Sequence, residues 1–122
     1  MNNFITEKFL SNWLDKLSAY WKRKNVDGAV DLFKKCKFYQ ESPFHKIAKT
    51  AKQIRELWFA IRDQSNVELF FNILTISGKT ATINYHASFN ENGKFHVSDG
   101  IYFIEFDDKL DCVRFMQWFM VK

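Results

Sequence analysis

The stretch that decides the fold runs from Thr80 to Phe106 and reads TATINYHASFNENGKFHVSDGIYFIEF. In its first ten residues, apolar or aromatic side chains alternate with polar ones. A period of two is typical of a β-strand with one buried face. Asn92-Gly93 then precedes a second apolar-rich segment, and this dipeptide is a strong hairpin-turn signal. The stretch therefore predicts two long antiparallel strands, at Thr80–Phe89 and Phe95–Phe106.

Two neighbouring segments extend this hairpin into a sheet. Val67–Ile76 precedes it across a turn that contains Gly78, and Cys112–Val121 follows it after a short acidic connection. Successive long strands joined by hairpin-length connections predict a four-stranded antiparallel meander. Both faces of the last strand are largely apolar, and such a strand needs cover on both sides. Helices cover only one face, so we expect the outer face to bind a second copy of the chain.

The first half of the chain predicts three helices. Apolar residues recur at steps of three and four from Thr6 to Lys24, which places them on one face of a helix. Thr6 is the predicted N-cap of this helix, Asn25 that of a second, shorter helix, and Thr50 that of a third helix ending near residues 62–65. A short extended segment, residues 36–39, lies between the last two helices. Helices followed by a sheet predict an α+β fold.

Composition excludes several classes of protein. Aromatic residues make up 18% of the chain, which is incompatible with global disorder. The longest apolar run, Leu57–Ile61, has five residues, whereas a membrane-spanning helix needs about 20. We therefore expect no membrane association, and the start of the chain does not resemble a secretory signal. Cys36 and Cys112 lack metal-ligand spacing, which predicts free thiols, a reducing cytoplasmic location and neither metal nor other cofactor.

Charge is distributed unevenly along the chain. Residues 1–61 carry 12 Lys or Arg and 6 Asp or Glu, whereas residues 62–122 carry 6 and 8. A basic helical half can attract an acidic partner. No nucleic-acid-binding motif accompanies the lysines, so nucleic acid is not an expected partner. Solvated helix faces are the simpler interpretation of these charges.

Several segments in this order resemble the nuclear transport factor 2-like superfamily, in its SnoaL-like branch. They are YWKRKNVDGAVDLF (20–33), CKFY (36–39), ESPF (41–44), IRELW (54–58), DGIYFIEF (99–106) and FMQWF (115–119). The resemblance implies one domain over residues 1–122: a cone-shaped, curved antiparallel sheet wrapped around three helices. It also implies a pocket inside the cone and frequent dimerisation through the outer sheet face. Relatives often carry a carboxylate before the Trp of the last strand, where this chain has Gln117.

Aromatic residues and one polar pair are the candidate site residues. Rings with a polar tip can hold a small, flat apolar ligand. On the predicted hairpin register His86 lies opposite or diagonal to Asp99 or Ser98, and a His beside a carboxylate is a usable general base. The candidate ligand contacts in the pocket are Trp13, Tyr20, Trp58, Tyr85, Tyr102 and Trp118.

Three functions are compatible with these observations. The first is a homodimer that binds a small apolar ligand in the cone pocket. The second is a small isomerase, cyclase or lyase that uses His86 and Asp99 as an acid–base pair. The third is binding of an acidic partner through the basic helical half. The superfamily includes enzymes and transport adaptors, and no complete catalytic set is recognisable, so the sequence leaves open whether this chain is an enzyme.

Overall fold

A computed structural model describes residues 4–122 and places the helices before the main sheet, as the sequence predicts. The helices are α1 (Glu7–Lys22), α2 (Val26–Leu32) and α3 (Ala51–Trp58), the last continued by a 3₁₀ helix (Phe59–Asp63). The strands are β1 (Phe38–Gln40), β2 (Gln64–Ser77), β3 (Thr80–Glu91), β4 (Lys94–Phe106) and β5 (Cys112–Val121). The predicted α+β class is confirmed.

Side-chain caps fix where the helices begin. The Thr6 hydroxyl accepts a hydrogen bond from the backbone N–H of Phe9 at 3.0 Å. The Asn25 side chain accepts from Gly28 at 2.9 Å, and the Thr50 hydroxyl from Gln53 at 3.2 Å. Each cap satisfies a backbone donor that has no partner within the helix. The three predicted N-caps are therefore confirmed.

The sheet has five strands in the order β1-β5-β4-β3-β2 and is not closed into a barrel. Strands β2 to β5 form the predicted antiparallel meander. The prediction of an entirely antiparallel sheet is wrong at one edge, because β1 pairs with β5 in the parallel direction, with Phe38 opposite Arg114. A strand of three residues has too little periodicity to reveal its pairing, so its direction depends on the partner strand.

The core lies between the helices and the inner face of the sheet. Ala81, Ile83 and Tyr85 of β3 are at most 1% exposed and belong to the same buried cluster as Leu10 and Leu17 of α1. This is the apolar face that the alternation in β3 predicts. Residues 4–122 contain no helix long and apolar enough to cross a lipid bilayer.

The two cysteines lie together at the β1–β5 edge. Both are free thiols, as predicted, and both are buried. Hydrogen bonding from the Cys112 thiol lowers the pKa of Cys36, whereas burial raises the pKa of Cys112. The edge therefore packs two small apolar side chains against each other beneath the shortest strand.

Candidate functional site

A partly open cavity of about 220 Å³ lies between the helices and the inner face of the sheet. Aromatic rings form most of its wall, and a few polar side chains interrupt them. The lining residues are Leu17, Trp21, Tyr39, Glu41, His45, Leu57, Trp58, Ala60, Ile61, Gln64, Tyr85, Phe89, Ser98, Tyr102, Phe115, Gln117 and Phe119. Concave, mostly apolar sites with a few polar groups are typical of small-molecule binding.

Three of the six predicted ligand contacts line this cavity, namely Trp58, Tyr85 and Tyr102. The other three lie elsewhere. Trp13 is in the core, 6% exposed, with its ring edge-on to Phe33. Tyr20 packs at the corner between α1 and α2, and Trp118 is 39% exposed on the opposite face of the sheet. Helical and strand periodicity shows which rings face inward, but not which of them border an unfilled space.

Glu41, one residue beyond the end of β1, is the carboxylate of the cavity wall. The Tyr39 hydroxyl donates a hydrogen bond to Glu41 Oε2 at 3.0 Å. Burial raises the pKa of Glu41, partly offset by this hydrogen bond and by nearby His45. Glu41 was not among the predicted site residues and entered the sequence analysis only within the ESPF segment. In a loop, no repeating pattern indicates which side chains face a cavity.

Tyr85 is held in one orientation on the sheet side of the cavity. Gln117 Nε2 donates a hydrogen bond to its hydroxyl oxygen at 2.6 Å. Its ring stacks on Tyr102, with centroids 4.2 Å apart and planes 13° apart. Burial raises the pKa of Tyr85 to about 12, so its hydroxyl is a neutral donor at neutral pH. Gln117 of β5 thus orients the Tyr85 hydroxyl at the cavity wall.

The two indole groups of the cavity differ in their hydrogen bonding. Trp21 Nε1 donates to Gln64 Oε1 at 2.6 Å, and Gln64 Nε2 in turn donates to Glu91 at 3.3 Å. Trp58 Nε1 is buried and has no partner among the described residues. A buried donor without a partner costs about 1–3 kcal/mol. The Trp58 indole N–H is therefore a hydrogen-bond donor without an acceptor in the described structure.

The predicted pairing of His86 with Asp99 is confirmed. The two residues are directly opposite each other on β3 and β4, with Nδ1 and Oδ2 3.3 Å apart. Asn84 Nδ2 also donates to Asp99 at 2.9 Å, and the hydrogen bonds from Asn84 and His86 lower the pKa of Asp99.

This pair lies outside the cavity, on the face of the sheet that points away from the helices. The side chains of His86 and Asp99 are 42% and 61% exposed, and neither lines the cavity. Their acid–base role stays a prediction, as does binding of an acidic partner by the basic half of the chain. Within residues 4–122, no group of three or more His, Cys, Asp or Glu side chains is arranged to hold a metal ion.

Solved structures share this architecture at low sequence identity. The chain is similar to "epoxide hydrolase/cyclase-like enzyme SalBIII in pyran ring formation in polyether salinomycin", with a TM-score of 0.72, 10% identity, and 91% and 92% of the two chains covered. It is also similar to an M. tuberculosis LEH-like epoxide hydrolase, with a TM-score of 0.71, 10% identity, and 89% and 80% covered. A ketosteroid isomerase-like protein from Erwinia carotovora atroseptica gives a TM-score of 0.70 at 7% identity, with 95% and 98% covered.

No protein-family model matches the chain, and no curated protein sequence matches it. The likeness to solved structures therefore concerns the fold. The predicted architecture, helices packed on one face of a mainly antiparallel sheet, is shared with these structures. Because this fold hosts unrelated activities, function has to be argued from the cavity.

Proposed function

We propose that the protein binds a small, largely apolar molecule in the cavity between its helices and its sheet. The observation that carries this proposal is Trp58, a residue of the cavity wall whose buried Nε1–H has no partner among the described residues. A ligand with a hydrogen-bond acceptor at this atom would satisfy the donor. The aromatic wall would bury the apolar body of the same ligand.

The structural neighbours support a small organic molecule as the ligand. Two of them are described as an epoxide hydrolase or as epoxide hydrolase-like. In this chain the polar groups in the wall are few and mostly fixed by each other, as in the Gln117–Tyr85 and Trp21–Gln64 hydrogen bonds. The wall is thus organised before any ligand enters, which lowers the entropic cost of binding.

Acetophenone, a flat ring with one carbonyl acceptor, is a suitable probe of this proposal. We expect ligand-observed NMR to detect its binding, and Trp58→Phe to weaken that binding about 2- to 10-fold, the effect of one net hydrogen bond. Trp118→Phe is the matched control, because Trp118 lies outside the cavity, and it should leave the affinity unchanged. Equal affinities for wild type and Trp58→Phe would contradict the role assigned to the indole.

We also propose that two copies of the chain associate through the outer face of the sheet, the side away from the helices. Large apolar side chains are exposed there: Met120 is 81% exposed, Phe70 63% and Trp118 39%. Trp118 pairs with Ile101, and Met120 with Asp99, so these side chains share one face. Exposed apolar patches of this kind are typical of protein–protein contacts.

Met120→Lys tests the proposed dimer. The new ammonium lies opposite Asp99, so the single chain should tolerate it, but a buried lysine at a dimer interface is costly. Light scattering at micromolar concentration should give a two-chain mass for wild type and a one-chain mass for the variant. Phe44→Lys, at a fully exposed loop residue, should keep the two-chain mass. A one-chain mass for wild type would exclude the dimer at that concentration.

A further inference from the structure

The cavity wall has an unbalanced charge. Glu41 is its carboxylate, and among the described lining residues there is no Lys or Arg. None of the ion pairs found within residues 4–122 includes Glu41. Its one hydrogen-bond donor in the described structure is the neutral Tyr39 hydroxyl. The carboxylate therefore shares the cavity wall with aromatic rings and has no Lys or Arg partner; nearby His45 is the lining group that can carry a positive charge.

Aromatic rings share the cavity wall with this carboxylate. Tyr39, Trp58 and Tyr102 line the cavity with it, and its charge is close enough to Tyr85 and Tyr102 to raise the pKa of both phenols. The faces of Trp and Tyr rings attract cations, most strongly where water is excluded. A carboxylate next to several such rings is the chemistry that recognises an ammonium group with an apolar body.

We propose that the ligand of this cavity is an organic cation, with its ammonium group at Glu41 and its apolar body against the aromatic wall. This inference rests on the proposed function and specifies its ligand class. A neutral ligand would leave the Glu41 carboxylate partly buried without a Lys, an Arg or a ligand cation to pair with it, which is costly. A cation would pair with that charge, and an acceptor elsewhere on the same molecule could meet Trp58 Nε1.

Two isosteric probes separate charge from shape. Phenyltrimethylammonium and tert-butylbenzene have the same outline, and only the first is charged. We expect wild type to bind the cation at least about tenfold more tightly, in line with desolvated cation–π and ionic contacts. Titration calorimetry or ligand-observed NMR can measure both affinities in the same buffer.

Glu41→Gln should remove most of this preference. The amide keeps the size of the side chain and can still accept the hydrogen bond from Tyr39, so the fold should survive, which circular dichroism can check. Affinity for the cation should fall about tenfold, while affinity for tert-butylbenzene should stay the same or rise. Glu68→Gln is the matched control, because Glu68 is an exposed β2 residue outside the cavity, and it should behave like wild type.

The pH dependence in wild type gives a second measurement that needs no variant. The carboxylate binds the cation only when ionised, so affinity should fall as pH drops through the raised pKa of Glu41. The probe carries a permanent charge and does not titrate. The groups that face Glu41 are His45 and the phenols of Tyr39, Tyr85 and Tyr102. The phenols stay neutral in this range, and repeating the titration in His45→Gln removes the imidazole.

The outcomes distinguish this inference from the proposed function. Equal binding of the two probes by wild type, or an unchanged preference in Glu41→Gln, overturns the cation inference and leaves a cavity for neutral ligands. Failure of both probes while acetophenone binds also overturns it. If acetophenone fails as well, the proposed function falls with it.

Discussion

Phe33→Ala is expected to lower the free energy of unfolding by about 3–5 kcal/mol, the usual cost of removing a buried Phe ring. Phe33 is fully buried at the end of α2. Its ring meets four others, those of Trp13, Tyr39, Trp58 and Phe115. The last three line the cavity, so the Phe33 ring packs against three residues of the cavity wall. Urea unfolding followed by circular dichroism measures the loss.

Phe44→Ala is the matched control for this experiment. Phe44 is 100% exposed, so its truncation should change the free energy of unfolding by less than about 0.5 kcal/mol. Phe33→Leu should give an intermediate loss, because it retains part of the buried volume. A loss below about 1 kcal/mol for Phe33→Ala would mean that the five-ring cluster is not packed as described.

Gly100→Ala is expected to lower the free energy of unfolding by about 1–3 kcal/mol or more, as overpacking does. A Cβ atom at Gly100 would lie 2.1 Å from the Trp118 carbonyl oxygen and 2.8 Å from the Phe119 Cα. These are backbone or near-backbone atoms, so no side-chain rotation relieves the clash. Strands β4 and β5 approach each other closely here, and a glycine inside a strand often marks such an approach.

The same urea titration measures this effect. Thr82→Ala is a suitable control, because Thr82 is a half-buried strand residue whose truncation creates no clash, and it should cost less than about 1 kcal/mol. The amide chemical shift of Phe119 should change in Gly100→Ala, because the backbone of β5 has to shift away from the new Cβ atom. Unchanged stability together with unchanged shifts would contradict the close approach of β4 and β5.

Local sequence signals account for the parts of the fold that could be predicted. The Asn92-Gly93 turn fixes the register of β3 and β4, and this register placed His86 opposite Asp99. Helix starts followed from three capping side chains that act within four residues of themselves. The pairing of β1 with β5 joins residues more than 70 positions apart, and nothing in a three-residue strand encodes that choice.

The candidate site was predictable only in part, for a related reason. Periodicity identifies Tyr85 and Tyr102 as inward-facing, and both line the cavity. It cannot show that Trp13 packs edge-on between Phe33 and Phe106 whereas Trp58 lines the cavity. That difference depends on how helices and sheet fit together over long sequence distances. Glu41 lies in an irregular segment, where no repeating pattern indicates whether a side chain points to the cavity or to solvent.

The position of Glu41 has a consequence for how ligand binding and local stability are related. It follows the three-residue strand β1, which is held on one side by β5 and on the other by an isolated backbone bridge between Tyr39 and Ala48. Short edge segments open locally at a lower free energy than the centre of a sheet. We therefore expect a molecule that binds Glu41 to slow amide exchange first in β1 and the residues next to it. In molecules where this edge is open, the free energy of closing it reduces the observed binding free energy.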